Sequence, residues 1–362
     1  MVSNKIEQVQ LTIYTPFRTY SLNLYLVMKT NQKFLLIAPW DYQLYVVIEK
    51  NLRYLGYEVT VIHNNHYPPG SLRLRSKLKY IVRTLFVGSR ENDSNLPTTY
   101  SEEKRMSLLK SSAHYDICLV IRADAFSEKL LREAKKRSGK FISFFYDGLT
   151  FNQHLLPLIP LFDRFYIFDK TELQPFEKYN VYYAPNFYVD YPELEKHVVN
   201  KDTKLYYISS YNSCRLDTIQ SFYKCISQRL SPVQFVLVYN KANEGEIPQY
   251  IKQHFTCRET IVSFEEQLHL IQHTELIVDI KMTSHSGFSF RIFYGIKLRK
   301  KVVTTNPLVV NEDFYHPDNF FVLTERNENE LDDFLKRPYV PLDEKIRTKY
   351  SFESWLRAVI AY

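Results

Sequence analysis

Serines and an arginine at the start of a helix suit a phosphate, and that is the first chemistry this sequence offers. Residues 274–311 read TELIVDIKMTSHSGFSFRIFYGIKLRKKVVTTNPLVVN. An apolar run at 275–280 is followed by a polar turn around Gly287, a segment with helical apolar spacing at 290–298, and a β-branched run at 302–305. Strand, loop, helix and strand in that order make the βαβ unit of a parallel sheet. The helix start offers backbone N–H groups, and Ser286, Ser289 and Arg291 add side-chain donors, a set suited to a phosphate-bearing ligand. An ordinary crossover, with a serine N-cap and a solvated arginine, accounts for the same residues.

Carboxylates form the second pattern. Asp41, Asp124 and Asp147 each follow an apolar run, at 34–38, 115–121 and 141–145, that reads as a buried parallel strand. Ligands of open parallel sheets bind at the carboxyl ends of strands, so these acids are the first places to look for a general base. Each serves equally well as the N-cap of the element after it, and for Asp124 the cap is the better reading. Asp147 lies between Tyr146 and Gly148, where the chain can turn sharply and leave a short acid exposed.

The elements that must position these groups fall into two halves. Apolar runs at 34–38, 58–62, 115–121, 141–145, 164–168 and 181–184 alternate with helical or irregular segments, including helices expected at 42–55, 126–136 and 170–179. A second series begins at 204–209, continues at 233–239, 259–262, 275–280 and 302–305, and ends at 320–323. Helices are expected at 216–227, 247–253, 263–271, 290–298, 328–335 and 346–361, with Ser263 and Glu266 forming a capping box. The domain plan is an uncertain arm at 1–27, an α/β domain at 28–192, a linker at 193–203, a second α/β domain at 204–340, and a terminal helix at 341–362 that crosses back to brace the first domain. The stretch 64–99 reads as irregular, with basic residues at Arg73, Arg75, Lys77 and Lys79 forming either a patch for a membrane or acceptor, or a short amphipathic helix.

Composition narrows the function. The 362 residues are 45% hydrophobic and 24% charged, so the chain is globular and long enough for two domains. A net charge of +7 suits phosphorylated substrates or an anionic membrane surface and is too dispersed for nucleic acid. Only 8 glycines are present, and neither a Walker A loop nor a GxGxxG fingerprint occurs, which speaks against a P-loop ATPase or a typical dehydrogenase. The 4 cysteines show no CxxC spacing and the 10 histidines no HExxH, so neither a metal nor a cofactor is expected, and the thiols read as reduced and cytoplasmic. No apolar stretch is long enough to span a bilayer, and no signal peptide is legible.

Three strings go further. YDGLTFNQHLLPLIPLFDRFYIFDK at 146–170, APNFYVDYP at 184–192 and SGFSFRIFYGIKLRKKVVTTNP at 286–307 resemble bacterial lipopolysaccharide and capsular polysaccharide biosynthesis glycosyltransferases of the GT-B fold. The resemblance implies two Rossmann-like α/β domains facing across a cleft, and metal-independent transfer of a sugar from a nucleotide-sugar donor to a growing glycan or lipid-linked glycan. The protein would then be cytoplasmic, with peripheral contact at the inner membrane. Ser286, Gly287, Ser289 and Arg291 would lie near the donor diphosphate, with Arg215 and Ser210 from the loop after the first strand of the second domain. For an inverting transfer Asp147 is the first choice of base, then Asp41. Relatives carry an acid after the arginine to hold the ribose, where this chain has Phe293, Tyr294 and Gly295. They also tend to have a glycine where it has Ser209, Ser210 and Tyr211. Two other readings stay open: a non-catalytic carbohydrate-binding or assembly protein on the same scaffold, and a sugar-nucleotide epimerase of similar plan.

Overall fold

A computed structural model describes residues 10–15, 18–23, 32–65, 96–192 and 203–362, with side chains from residue 32 on except at 96–100. Near the N-terminus, β1 (Gln10–Thr15) and β2 (Arg18–Asn23) pair antiparallel. The basic stretch at Arg73, Arg75, Lys77 and Lys79 lies outside the described residues, as does most of the expected linker.

Two parallel six-stranded sheets carry the rest, as the alternating apolar runs led one to expect. The first holds β3 (Lys33–Ala38), β4 (Glu58–His63), β5 (Tyr115–Ile121), β6 (Ser138–Phe145), β7 (Arg164–Ile167) and β8 (Val181–Tyr183), in the order β4-β3-β5-β6-β7-β8. The second holds β9 (Leu205–Ser210), β10 (Val233–Val238), β11 (Thr256–Arg258), β12 (Leu276–Asp279), β13 (Lys301–Thr304) and β14 (Phe320–Val322), in the order β11-β10-β9-β12-β13-β14. Counted within its own sheet, that second order is the 3-2-1-4-5-6 of a Rossmann domain. Its switch point falls between β9 and β12, where a crevice opens beyond the strand ends. The first sheet reverses between β3 and β5, the other common doubly wound arrangement. Strands buried on both faces explain why the sequence reads as unbroken apolar runs such as Phe34 to Ala38.

Several elements differ from the sequence reading. Residues 170–179 form two short 3-10 turns, Lys170–Glu172 and Glu177–Tyr179, because Pro175 removes a donor in mid-segment. The third strand of the second domain is Thr256–Arg258, ahead of the expected 259–262. A helix at Leu96–Leu109, carrying Pro97 in its first turn, replaces the end of the expected irregular stretch. The C-terminal segment is two helices, Glu344–Lys349 and Phe352–Ile360, broken where Tyr350 and Ser351 turn to pair with Tyr188.

That last helix lies on the first domain. Trp355 packs on Phe144 and Phe187 with ring centroids 5.0 and 4.6 Å away, and the Tyr166 hydroxyl donates to the Val359 carbonyl at 3.1 Å. One apolar cluster runs from Phe34 and Leu36 through Phe187 and Trp355 to Ile292 and Phe314, so the two domains share a core. At the seam, a Cβ added to Gly148 would lie 2.5 Å from the Ser284 carbonyl of the opposite domain, which only glycine permits. Gly148→Ala is therefore expected to lower the melting temperature, at a cost of about 1–3 kcal/mol. Gly245→Ala, with nothing within 4 Å of the added Cβ, should leave it unchanged. Thermal melts of both variants check this, and equal effects would show that the close approach is not the cause.

Candidate functional site

The seam between the domains holds a cavity of about 390 Å³. Its wall on the second domain is the end of β9, the loop beyond it, and two helices, Phe264–Gln272 and Phe290–Leu298. Tyr206, Phe264, Leu268, Ile271 and Tyr294 make it largely apolar, while Ser210, Arg215, Ser289 and Arg291 bring polar groups to it. From the first domain come Tyr42 and Asp147. An adjoining cavity of about 200 Å³ shares Arg215, Arg291 and Tyr42, and adds Asp41, Lys281, His285 and Gly287.

Arg291 lies in the first turn of its helix, and its backbone N–H donates to the N-cap Ser289 hydroxyl at 3.2 Å. That hydroxyl donates in turn to Asp279 at 2.6 Å, and Thr304 donates to the other Asp279 oxygen at 2.8 Å. Asp279 is 2% exposed, so a buried carboxylate at the end of β12 ties the helix start to the sheet. The Arg291 guanidinium donates to the Ile208 carbonyl and sits 5.0 Å over the Tyr207 ring. Arg215 reaches the same place from the turn after β9, donating through Nη2 to the Tyr207 hydroxyl and the Ile280 carbonyl, both at 3.0 Å. It is 9% exposed, and its Nε has no partner. Among the described residues the hydrogen-bond partners of both guanidiniums are neutral oxygens, so neither is directly paired with a carboxylate. A cation withdrawn from water without a bonded counter-ion is costly, and an anion in the cavity would relieve that cost.

The remaining expected residues divide. Ser210 and Ser289 line the main cavity with the arginines, and Asp147 faces it from across the seam. Asp41 is exposed and lines the smaller one. Ser286 lines neither: its backbone N–H donates to Asp169 of the other domain at 2.5 Å, and its carbonyl accepts from Asn306 at 2.9 Å. Gly287 lines the smaller cavity and is there for space, since an added Cβ would lie 2.5 Å from the Phe168 ring. Asp124 is not the expected N-cap. Ser127 caps the Glu128–Lys136 helix, and Asp124 grips Arg122 instead.

Tyr42, Asp279 and Arg122 escaped the sequence reading. Tyr42 and Gln43 both hold positive φ, 50° and 55°, in the turn after β3, a conformation rare for residues with a Cβ and not readable from their types. Asp279 gave a signal, a lone acid inside an apolar strand.

Burial raises the pKa of Asp147 above the ordinary carboxylate value, against the pull of Arg122 and His285. Burial likewise lowers that of His285, whose ring lies 4.7 Å from Phe168 and whose Nδ1 has no hydrogen-bond partner, while Asp147 and Asp169 pull the other way. Among the described residues no three of His, Cys, Asp and Glu gather as a metal-holding group, and no helix is long and apolar enough to cross a membrane.

No protein-family model matches the chain, and no curated protein matches it. Among solved structures it is similar to a glycosyltransferase from Rickettsia africae ESF-5, at 13% identity over 92% of this chain and 97% of that one, with a TM-score of 0.48. It is also similar to the catalytic domain of starch synthase IV from Arabidopsis thaliana bound to ADP and acarbose, at 11% identity over 91% and 94%, with a TM-score of 0.49. The S. aureus MnaA–UDP structure is similar at 11% identity over 91% and 97%, with a TM-score of 0.47. At such scores a likeness carries no weight for activity, and the fold stands on its own strand order.

His285 yields a pH prediction. Its folded pKa lies below its unfolded value, so the unfolded chain takes up the proton first, and stability is lost as pH falls below about 6.5 toward the folded value. His285→Gln should make the melting temperature fall less between pH 7 and pH 5 than in the parent chain. Melts in a constant-ionic-strength buffer series check it, and parallel curves would place the imidazole in water.

Proposed function

We propose that this protein is a glycosyltransferase that moves a sugar from a nucleotide-sugar donor to a growing surface glycan, of lipopolysaccharide or capsule, without a metal. The observation that carries the reading is the pairing of Arg215 and Arg291, neither with a carboxylate partner among the described residues, in one largely apolar cavity that Asp147 closes from the opposite domain. A nucleoside diphosphate has the matching halves: a flat, weakly polar base for the wall of Tyr206, Phe264 and Tyr294, and an anionic group for the guanidiniums. Departure of the nucleotide leaves negative charge on the diphosphate, and fixed cations in a water-poor site stabilise it without reorganising. Ser210 and Ser289 stand beside the arginines, and the smaller cavity next to them is where the transferred sugar would sit.

Asp147 is the base of this reading. A carboxylate with a pKa raised by burial is a better proton acceptor than one in water, and its entry into the cavity from the domain opposite the arginines supports an acceptor-side role. Asp41 stands second, exposed at the smaller cavity. The acceptor is a glycan or lipid-linked glycan, and the basic stretch at Arg73 to Lys79 would hold the protein at the inner face of the plasma membrane.

A second reading, a carbohydrate-binding or assembly protein without turnover, draws on one observation. The helix that starts at Phe290 carries no carboxylate to hold a ribose diol. Transfer of sugar from any nucleotide-sugar to a glycan rules it out.

Arg291→Ala should weaken nucleoside diphosphate binding by about 1.5–3 kcal/mol, the worth of a charged hydrogen bond, with the melting temperature of the free protein little changed. Calorimetric titration with a panel of nucleotides checks it, and unchanged affinity for the nucleotide that binds would remove the arginine from the donor site. Asp147→Asn should lower turnover roughly 10²-fold or more while leaving nucleotide affinity nearly constant. Turnover that survives this change would require another base, or a retaining mechanism that uses none there.

A further inference from the structure

We propose that Arg122 and Asp124 are a pair of positioning residues that hold Asp147 by one carboxylate oxygen and leave its other oxygen to the cavity. Arg122 follows β5 and adopts a left-handed backbone, φ 56° and ψ 68°, which a residue with a Cβ takes up only when its surroundings enforce it. Its fork is divided unequally. Nε and Nη2 go to the two oxygens of Asp124, at 2.9 and 2.6 Å, a bidentate grip. Nη1 alone is left for Asp147, and it meets Oδ2. The guanidinium packs 5.4 Å over the Phe145 ring and 5.9 Å over that of Tyr146, so it is held against the end of β6 and the residue that leads to Asp147.

The division matters because of what an undivided fork would do. An arginine that held both oxygens of Asp147 would drive its pKa down and cover both lone-pair faces, leaving a carboxylate unable to take a proton. With Asp124 occupying the better half, Asp147 is oriented by a single bond and its charge is only partly offset. The side chains of Arg122 and Asp124 are 22% and 10% exposed, and that of Asp147 is 38% exposed, so the clamp is shielded while the held group opens to the cavity. The other groups that face Asp147 are Asp41 from the turn after β3, His285 from the opposite domain and the neighbouring Tyr146 hydroxyl.

The catalytic purpose of the clamp rests on the transfer reading above, but its geometry is testable without any substrate. The protein is labelled with 13C at aspartate carboxyl carbons, the Asp147 signal is assigned by its loss in Asp147→Asn, and its titration midpoint is followed by NMR. Arg122→Gln should raise the midpoint by about one unit or more, the effect of losing an adjacent cation. Asp124→Asn should lower it, because the freed fork turns to Asp147. Asp124→Asn keeps the side-chain size and decides the matter even where Arg122→Gln does not fold. A midpoint that stays put or rises in Asp124→Asn overturns the proposal, as does one that stays put or falls in a folded Arg122→Gln. Opposite shifts in the two variants, with no turnover found for any nucleotide-sugar, would uphold the clamp and defeat the transfer reading. Where turnover is found, the acid limb of its pH profile should move with the NMR midpoints.

Discussion

The contact on which the site depends is the one Asp169 makes across the seam. Its carboxylate accepts from the backbone N–H of Ser286 through one oxygen, and through the other from the N–H and hydroxyl of Thr171 in its own turn, at 2.9 and 2.6 Å. It is 2% exposed, so these bonds replace the water it gave up. This bond anchors the loop at 284–287 to the opposite domain, and that loop leads directly to the N-cap Ser289 and the helix that carries Arg291. Around the bond the fit is close: Ser284 approaches Gly148, and Gly287 lies against Phe168, two places where a methyl group has no room. Asn186, just beyond β8, donates to the Phe288 carbonyl at 2.8 Å, and the Tyr294 hydroxyl accepts from Val189 at 3.2 Å, which extends the same attachment along the helix. Both sides of the cavity are thereby fixed to one another through short loops and not through the sheets alone.

The second domain brings Arg215, Arg291 and Lys281 to the cavities, beside an Asp279 carboxylate already occupied by Ser289 and Thr304, and the first brings Asp41 and Asp147. The cations have neutral acceptors as partners, carbonyls of Ile208, Ile280 and Met282 and the hydroxyl of Tyr207. Carbonyls orient a guanidinium without cancelling its charge, so the positive potential survives into the cavity. The acids are treated in the opposite way, Asp147 being held by an arginine that is itself mostly neutralised by Asp124. Cations thus stand on one wall and carboxylates on the other, with the apolar side chains of Phe264, Phe290 and Met282 among them.

What the sequence made legible follows from burial. Strands covered on both faces must be apolar throughout, so runs such as 34–38 and 115–121 announce themselves, and the Phe290–Leu298 helix shows because its periodicity is clean. That the two arginines, Ser289 and Asp147 would stand at one cavity was legible, because helix starts and strand ends border the crevice of a parallel α/β sheet. Asp169 and Ser286 were not legible as partners, since a bond between residues 117 positions apart leaves no local pattern. Ser286 looked like a phosphate donor for the very reason it serves the seam, a backbone N–H exposed at a loop before a helix. At Gly287 the type demands space, and sequence does not say that the Phe168 ring takes it up on one side. Left-handed Tyr42, Gln43 and Arg122 lie beyond any reading of residue type, because tertiary contacts impose their conformation.

Loops that hold the domains together and loops that bring Asp147 and Arg291 to the cavity are thus the same loops. The turn at 147–150 carries Asp147 at its first residue, meets Ser284 at its second, and is pinned at the next two by the buried Glu172 carboxylate, which accepts from the N–H groups of Leu149 and Thr150 at 2.8 Å each. Glu172 belongs to the short turn that Asp169 caps. Asp147 is therefore referenced to the same few residues that fix the start of the arginine-bearing helix. Separation of the domains would break the Asp169–Ser286 bond and move Asp147 away from Arg215 and Arg291 in one step, dismantling both walls of the cavity. With flexible loops and a rigid interface the reverse would hold, and each wall could be lost alone. Here the distance between Asp147 and the two arginines is set by the closure of the seam, so a group that bridges them also stabilises the closed arrangement, by mass action on whichever state binds it.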